Sequence, residues 1–311
     1  MRASHFKPFP TQFTLISWAI LSLILITIPA PAPAQYQTNV HHGLALESEI
    51  HDVSADQKAL DAIIRAANTR IPKKKDLTRQ EAIEVLKTIH QILQEQQPRF
   101  TSHVLREADC KSSIIYVAVG EALGLPIHGV LVPNHMFVRY ELASGKYVNW
   151  ETVWARVVSD RHYIKNHNIA RTSMLNGAYM KSLSPSQIKA IHYAIVGKAW
   201  GRRNNHERAM RHYNEAVRRY PACPGCYNQR GLGWLEQGKP QNALDDLNQA
   251  LILDPQYPQA LYNRGLALTQ LNRLDAALQD FNRSLELAPR HARSYYWRGY
   301  VRMRKGDVKG A

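Results

Sequence analysis

Residues 230–255 read RGLGWLEQGKPQNALDDLNQALILDP, and residues 264–289 read RGLALTQLNRLDAALQDFNRSLELAP, the same pattern displaced by 34 positions. Gly197, Gly231, Gly265 and Gly299 keep that spacing, as do Ala209, Ala243, Ala277 and Ala311, and Pro221, Pro255 and Pro289. Large residues fall at matching places: Tyr213, Leu247 and Phe281 each follow an alanine by one helical turn, and Ala216, Ala250 and Ser284 lie one turn further on. Small residues at a fixed period mark where two helices cross closely. A helix pair of this kind cannot bury its own apolar face, so successive pairs stack into a solenoid with a concave groove suited to an extended peptide or a partner helix. Residues 186–311 are therefore expected to be an all-α solenoid of about four repeats. The sequence given stops at Ala311, inside the second helix of the fourth, which reads as a truncated or frayed last repeat.

Outward from the repeats, 311 residues with 45% apolar content are enough for about two domains with real cores. The charge is strongly basic, 40 Lys plus Arg against 25 Asp plus Glu. The longest basic block is Lys73-Lys74-Lys75, and no zinc-finger spacing or RNA-binding aromatic motif accompanies it, so no nucleic-acid partner is expected. Residues 187–311 hold 20 Lys plus Arg and 10 Asp plus Glu. That excess fits an acidic peptide or protein as the groove's partner and fits equally a solvated convex face.

At the N-terminus Arg2 and Lys7 precede an apolar run from Phe13 to Ile28 and then Ala32-Pro33-Ala34. This is the layout of a signal peptide over residues 1–34, cleaved before Gln35. An uncleaved anchor over 13–28 is the alternative, and the membrane is a partner only in that case. The protein is thus expected to be exported, periplasmic or extracellular. Residues 35–55 show no sustained periodicity and read as a linker. Of three cysteines, Cys223 and Cys226 lie in a C-P-G-C run between repeats one and two, where a local disulfide or two unpaired thiols is expected rather than a redox centre. Cys110 is the odd thiol.

Residues 56–185 read differently. Helical patterns cover 57–68 and 78–96, the second opening on Thr78 and Glu81 as a capping box. A third runs over 114–123, which places Cys110 at a helix N-terminus, where the dipole and unpaired N–H groups favour a thiolate. Strand patterns follow at 129–132, 135–141 and 146–151, with a turn at Ala143-Ser144-Gly145. If residue 141 pairs with 145 around a three-residue loop, then 135 faces 151 and 137 faces 149 on one side of the sheet. That arrangement needs an odd-length loop or a bulge at Ser144-Gly145. A nucleophilic thiol needs an imidazole and a group to orient it, and His135, Asn149 and Glu151 are placed to supply them.

The 34-residue period is the signature of tetratricopeptide (TPR) repeats. The runs DCKSSIIYVAVGEALGLP, VPNHMFVRY and VNWET resemble the bacterial transglutaminase-like family, including the branch that joins such a domain to TPR repeats. The similarity covers roughly 75–185. It implies an α+β, papain-like fold with Cys110 as nucleophile, His135 as general base and acid, and Glu151 as the orienting carboxylate. The family's third member is usually Asp in a D-P-T-like setting; here the setting is N-W-E-T, which leaves Asn149 as the alternative.

The resemblance implies an exported transglutaminase-like cysteine amide hydrolase or acyl transferase whose TPR repeats recruit a substrate or partner. The alternative is a non-catalytic TPR adaptor, scaffold or envelope assembly factor that carries an inactive transglutaminase-like domain. No cofactor is implied. No histidine, including His41-His42, has companions at metal-ligand spacing, so no metal site is expected. Trp200, Trp234 and Trp297 read as packing residues.

Overall fold

In the order of the chain, the computed structural model, which describes residues 37–74, 76–96, 100 and 111–307, places helices first, then a small sheet, then helices to the end. The helices before the sheet are α1 (Asn39–Glu47), α2 (Ser54–Arg70), α3 (Arg79–Gln96) and α4 (Lys111–Leu123). The strands are β1 (Ile127–Val132), β2 (His135–Glu141), β3 (Tyr147–Glu151) and β4 (Arg156–Val157), followed by α5 (Asp160–Asn166) and α6 (Arg171–Leu175). The repeats occupy α7 (Pro185–Gly201), α8 (His206–Arg219), α9 (Pro224–Glu236), α10 (Pro240–Leu253), α11 (Pro258–Gln270), α12 (Leu274–Leu287) and α13 (Ala292–Arg304). The segment read as a signal peptide lies outside the described residues. Among the described residues no helix is long and apolar enough to cross a membrane.

The repeat spacing becomes packing. A Cβ on Gly197 would lie 2.7 Å from Tyr213, one on Gly231 2.9 Å from Leu247, and one on Gly265 2.7 Å from Phe281. Each glycine lets the large residue of the second helix sit directly on the backbone of the first. A second ladder runs at the same period. Arg230 holds Asp246 through two bonds of 2.8 and 2.6 Å and reaches Asn214 at 3.1 Å. Arg264 holds Asp280 through two bonds of 2.7 Å and reaches Asn248 at 3.0 Å. Each arginine thus ties both helices of its own repeat to the second helix of the preceding one, by the bidentate geometry that suits a guanidinium. Asp246 also accepts from the Trp234 indole at 3.1 Å, so this tryptophan packs within the repeats.

The sheet is an antiparallel meander, β1-β2-β3-β4. Its even-numbered residues on β2 and β3 meet α4, where the Trp150 indole donates to the Tyr116 hydroxyl at 3.2 Å. Its odd-numbered side carries Phe137, with Tyr163 of α5 stacked on it at 3.9 Å, and continues into Ile169, Ala178 and Tyr179. The β2–β3 pairing corrects the expected register: Glu141 pairs with Tyr147 and Arg139 with Asn149, two residues beyond the expected partners. The loop is still odd-numbered, because Leu142 N–H bonds to the Lys146 carbonyl around Ala143-Ser144-Gly145, with Gly145 at φ +74°. A slip of two preserves the side on which each residue projects.

The segment read as a linker, 35–55, carries α1. Thr38 caps it together with His41, whose Nδ1 accepts from the Thr38 N–H at 3.2 Å. The other nitrogen, Nε2, then carries the hydrogen and donates to Asp61 at 3.1 Å. Val40 and Leu44 are fully buried, and Leu46 and Ile50 pack on the Ile195, Trp200 and Met210 cluster, so the segment covers the start of the first repeat. On its other flank, residues 171–180 dock onto the first two links between repeats. Tyr220 donates to the Gly177 carbonyl at 3.0 Å, and Tyr179 donates to Asp254 at 2.8 Å. Burial is the largest influence on Asp254 and holds its carboxyl above the ordinary value despite the bonds it accepts from Tyr179, the Gln256 N–H and Ser173.

His192 of α7 is fully buried facing α1, and burial lowers it to about 4, with a backbone contact from Asn39 opposing and the charge on His42 adding. A histidine held below its ordinary value stabilises the fold while neutral. Its contribution is complete above pH 6.5 and is lost as pH falls from 6.5 towards 4, a change of about 3 kcal/mol. Urea titrations across that window are expected to show the loss in the parent chain and a much flatter profile in His192→Leu. An unchanged slope in the variant would assign the acid sensitivity to other groups.

Candidate functional site

Pro133 and Asn134 form a two-residue connection between β1 and β2, closed by the Val132–His135 pair, with Asn134 at φ +57°, a conformation asparagine tolerates. His135 is thereby the first residue of β2, on the side that carries Phe137. Glu151 ends β3 on the same side. The two meet: His135 Nε2 lies 2.9 Å from Glu151 Oε2. They sit diagonally across the ladder rather than face to face, as the shifted register requires.

Glu151 is 2% exposed, and its carboxylate has two further donors, the Tyr163 hydroxyl at 3.0 Å and the Val153 N–H at 3.2 Å. Burial is the strongest single influence and opposes ionisation. The hydrogen bond and charge of His135, with Val153 and Tyr163, together outweigh it, so the carboxyl lies below its ordinary value. Burial and the same carboxylate push the Tyr163 phenol far up, so it stays a donor. An ionised carboxylate only accepts, so His135 donates to it from Nε2, and Nδ1 is the ring nitrogen outside that bond. The His167 ring lies parallel to His135 at 5.7 Å, held by its Nδ1 on the Pro133 carbonyl at 3.1 Å. Burial lowers His167, the Pro133 bond opposes this and the charge of His135 adds to it, so a neutral ring stacks on the pair.

Asn149 is turned to a different task. It accepts from Arg139 Nε at 2.9 Å and donates to Asp160, which also accepts from Arg139 at 3.1 Å and from Tyr147. This network fastens the sheet to the start of α5, and Asn149 makes no bond to His135.

Cys110 lies outside the described residues. The helix that follows it is described, and its first turn is tied to the pair. Ser113 donates to the Met136 carbonyl at 2.6 Å and pairs with the Thr152 hydroxyl at 3.1 Å. Those partners are the residues that follow His135 and Glu151, so the N-terminal end of α4 is pinned beside both. Ser113, Thr152, Tyr163 and His167 had no assigned role in the sequence. Ser113 and Thr152 stood inside the quoted runs; Tyr163 and His167 carry no local signal, because only the tertiary fold brings them here.

Beside His135 a cleft of about 210 Å³ opens between the β1–β2 turn and the repeats. Leu131, Asn134 and His135 form one wall, and Ile191, Ala194, Ile195 and Lys198 of α7 and the start of α9 form the other. Cys223 and Cys226 are joined by a disulfide, Cα–Cα 5.3 Å, and both line this cleft. The Cys223 sulfur also accepts from the Cys226 N–H at 3.1 Å, at the first turn of α9. Among the described residues no group of three His, Cys, Asp or Glu is placed to hold a metal ion.

A family model described as tetratricopeptide repeat matches residues 228–289 and 262–311. Among solved structures, the chain is similar to the first TPR of Spaghetti (RPAP3) bound to an HSP90 peptide, at 23% identity over 39% of this chain and 95% of that one, TM-score 0.38. It is similar also to the second TPR domain of human RPAP3 in complex with an HSP70 peptide, at 27% identity over 38% and 98%, TM-score 0.36. The Arabidopsis OM64 TPR domain is similar at 24% identity over 38% and 98%, TM-score 0.37. No curated protein sequence matches the chain. The matched residues fall on the helices whose period and crossings were described above, and the C-terminal part of this protein is a helical solenoid of TPR repeats.

Proposed function

We propose that this protein is an exported interaction protein that binds a polypeptide through its TPR repeats. The observation that carries this reading is the stacked run of helix pairs at a 34-residue period, an architecture that presents a continuous concave face. The excess of 20 Lys plus Arg over 10 Asp plus Glu in residues 187–311 favours an acidic partner. A peptide array probed with the full chain is expected to retain acid-rich sequences, with retention falling as ionic strength rises. Retention without charge preference would assign the basic excess to a solvated outer face instead.

A second reading is favoured by the bond from His135 to Glu151 beside the pinned end of α4: a cysteine amide hydrolase of the transglutaminase-like, papain-like kind, with Cys110 as nucleophile. The Cys110 thiolate adds to an amide carbonyl carbon, and the C–N bond breaks as the His135 imidazolium gives its proton to the departing amine. Water then adds to the thioester carbonyl as His135 takes one of its protons, and the C–S bond breaks to release the carboxylic acid and restore the thiolate beside the imidazolium. Glu151 holds the ring and balances its charge through both steps. Cys110→Ala is expected to abolish amide hydrolysis while leaving peptide retention on the array unchanged. Hydrolysis that survived in Cys110→Ala would remove this reading and leave the interaction protein with an inactive domain.

A further inference from the structure

We infer that the cleft beside His135 is a binding subsite for one large apolar side chain of a polypeptide, and that the repeats build one wall of it. The inference deepens the thiol-hydrolase reading and rests on it for the identity of the neighbouring bond, but the cleft's selectivity stands or falls separately. Three observations carry it. Ile191, Ala194, Ile195 and Lys198 are spaced so that one stripe of α7 faces the cleft, and the three apolar members meet Leu131 across it. The volume of about 210 Å³ exceeds the roughly 150 Å³ at which an aliphatic-lined cavity takes up a benzene ring, so an aromatic or large aliphatic side chain fits. His135 stands at the same cleft, so a chain whose side chain enters it passes its backbone by the imidazole.

The disulfide-bonded turn gives the cleft a fixed end. Cys223 and Cys226 both line it, and the turn they close is the first turn of α9, so the wall contributed by the second repeat is covalently braced. The Met180 N–H bonds to the Leu131 carbonyl at 3.0 Å, so the contacts of residues 171–180 with Tyr220 and Asp254 tie the opposite wall to the same repeats. The repeats therefore select at the site itself and do more than tether a partner at a distance.

The test uses the full chain carrying Cys110→Ala, with N-acetyl-L-phenylalaninamide and N-acetylglycinamide as probes followed by methyl-labelled NMR. The phenylalanine amide is expected to bind on the order of 10-fold to 100-fold more tightly than the glycine amide, the span set by burying one large apolar side chain. Its titration is expected to move the methyl signals of Leu131, Ile191 and Ile195. Ala194→Trp, which fills the cleft from α7, and Gln229→Trp, which fills it from α9, are each expected to erase that preference. Equal affinity for the two probes, or shifts confined to other methyls, would overturn the subsite, and this measurement needs no filled variant to fold. The chain with Cys110 intact separates the two ideas. Phenylalanine preference in binding without amide hydrolysis keeps the subsite and removes the hydrolase; hydrolysis of amide substrates regardless of a large apolar neighbour removes the subsite alone.

Discussion

Phe281→Ala is expected to destabilise the repeats by about 3–5 kcal/mol, the range for truncating a fully buried phenylalanine in a packed core. Phe281 is fully buried, and its ring lies on Gly265, with Cε1, Cζ and Cδ1 at 2.7, 2.8 and 3.0 Å from where a Cβ would stand. The cavity cannot close readily, because the backbones on either side are held by the two bonds from Arg264 to Asp280 and by its bond to Asn248. The reciprocal change, Gly265→Ala, places a methyl inside the ring's van der Waals surface. It is expected to cost about 1–3 kcal/mol as the helices are forced apart. The two changes together should cost clearly less than their sum, since the alanine methyl enters the space the ring vacated. Because a repeat array is stabilised by its nearest neighbours, the loss should appear in urea titration and in hydrogen exchange of α11 to α13 before α7 and α8. Additive costs, or protection lost uniformly along the array, would show that the Gly265–Phe281 crossing is not the point at which these repeats are held together.

That crossing was legible in the sequence, because a period repeated in several registers leaves little freedom in assigning helices. The arginine ladder stands at the same period, in Arg230 with Asp246 and Arg264 with Asp280, yet charge pairs at that separation signal nothing until the helix pair is built. Helix α1 was not legible. Its nine residues include Gly43 and adjacent histidines, its capping partner is His41 rather than Glu or Gln, and its apolar residues become a face only against α7. The hairpin register fell two residues from expectation, because the three-residue loop sits one position later, at Ala143-Ser144-Gly145, and loop composition fixes parity better than position. Parity was enough to put His135 and Glu151 on one side of the sheet. It could not distinguish Glu151 from Asn149, a choice made by Arg139 and Asp160, which take up the amide.

Loss of the His135–Glu151 pair is expected to lower amide hydrolysis by on the order of 10²–10⁴-fold if Cys110 is the nucleophile, the usual weight of a positioned acid–base group. The same change should be visible without any substrate. With Cys223 and Cys226 closed in their disulfide, Cys110 is the remaining thiol of three, so iodoacetamide reports on it alone. A thiol coupled to an imidazole titrates below about 8.5, and His135→Ala should return it towards that value. Glu151→Gln keeps an acceptor for Nε2 but removes the charge that favours imidazolium, so it should raise the apparent thiol value by less than His135→Ala does. Tyr163→Phe separates a structural role from this one. It removes one donor from Glu151 and leaves the bond to His135, so the carboxyl is expected to rise and the acid limb of the rate profile to move to higher pH. Since a carboxyl held below its ordinary value contributes stability that is lost as pH falls through its lowered value, Tyr163→Phe should also begin to lose stability at a higher pH than the parent. A thiol that titrates ordinarily and ignores His135→Ala would leave the bonded pair as a buried fastening between β2 and β3, and would place the protein's activity in the repeats.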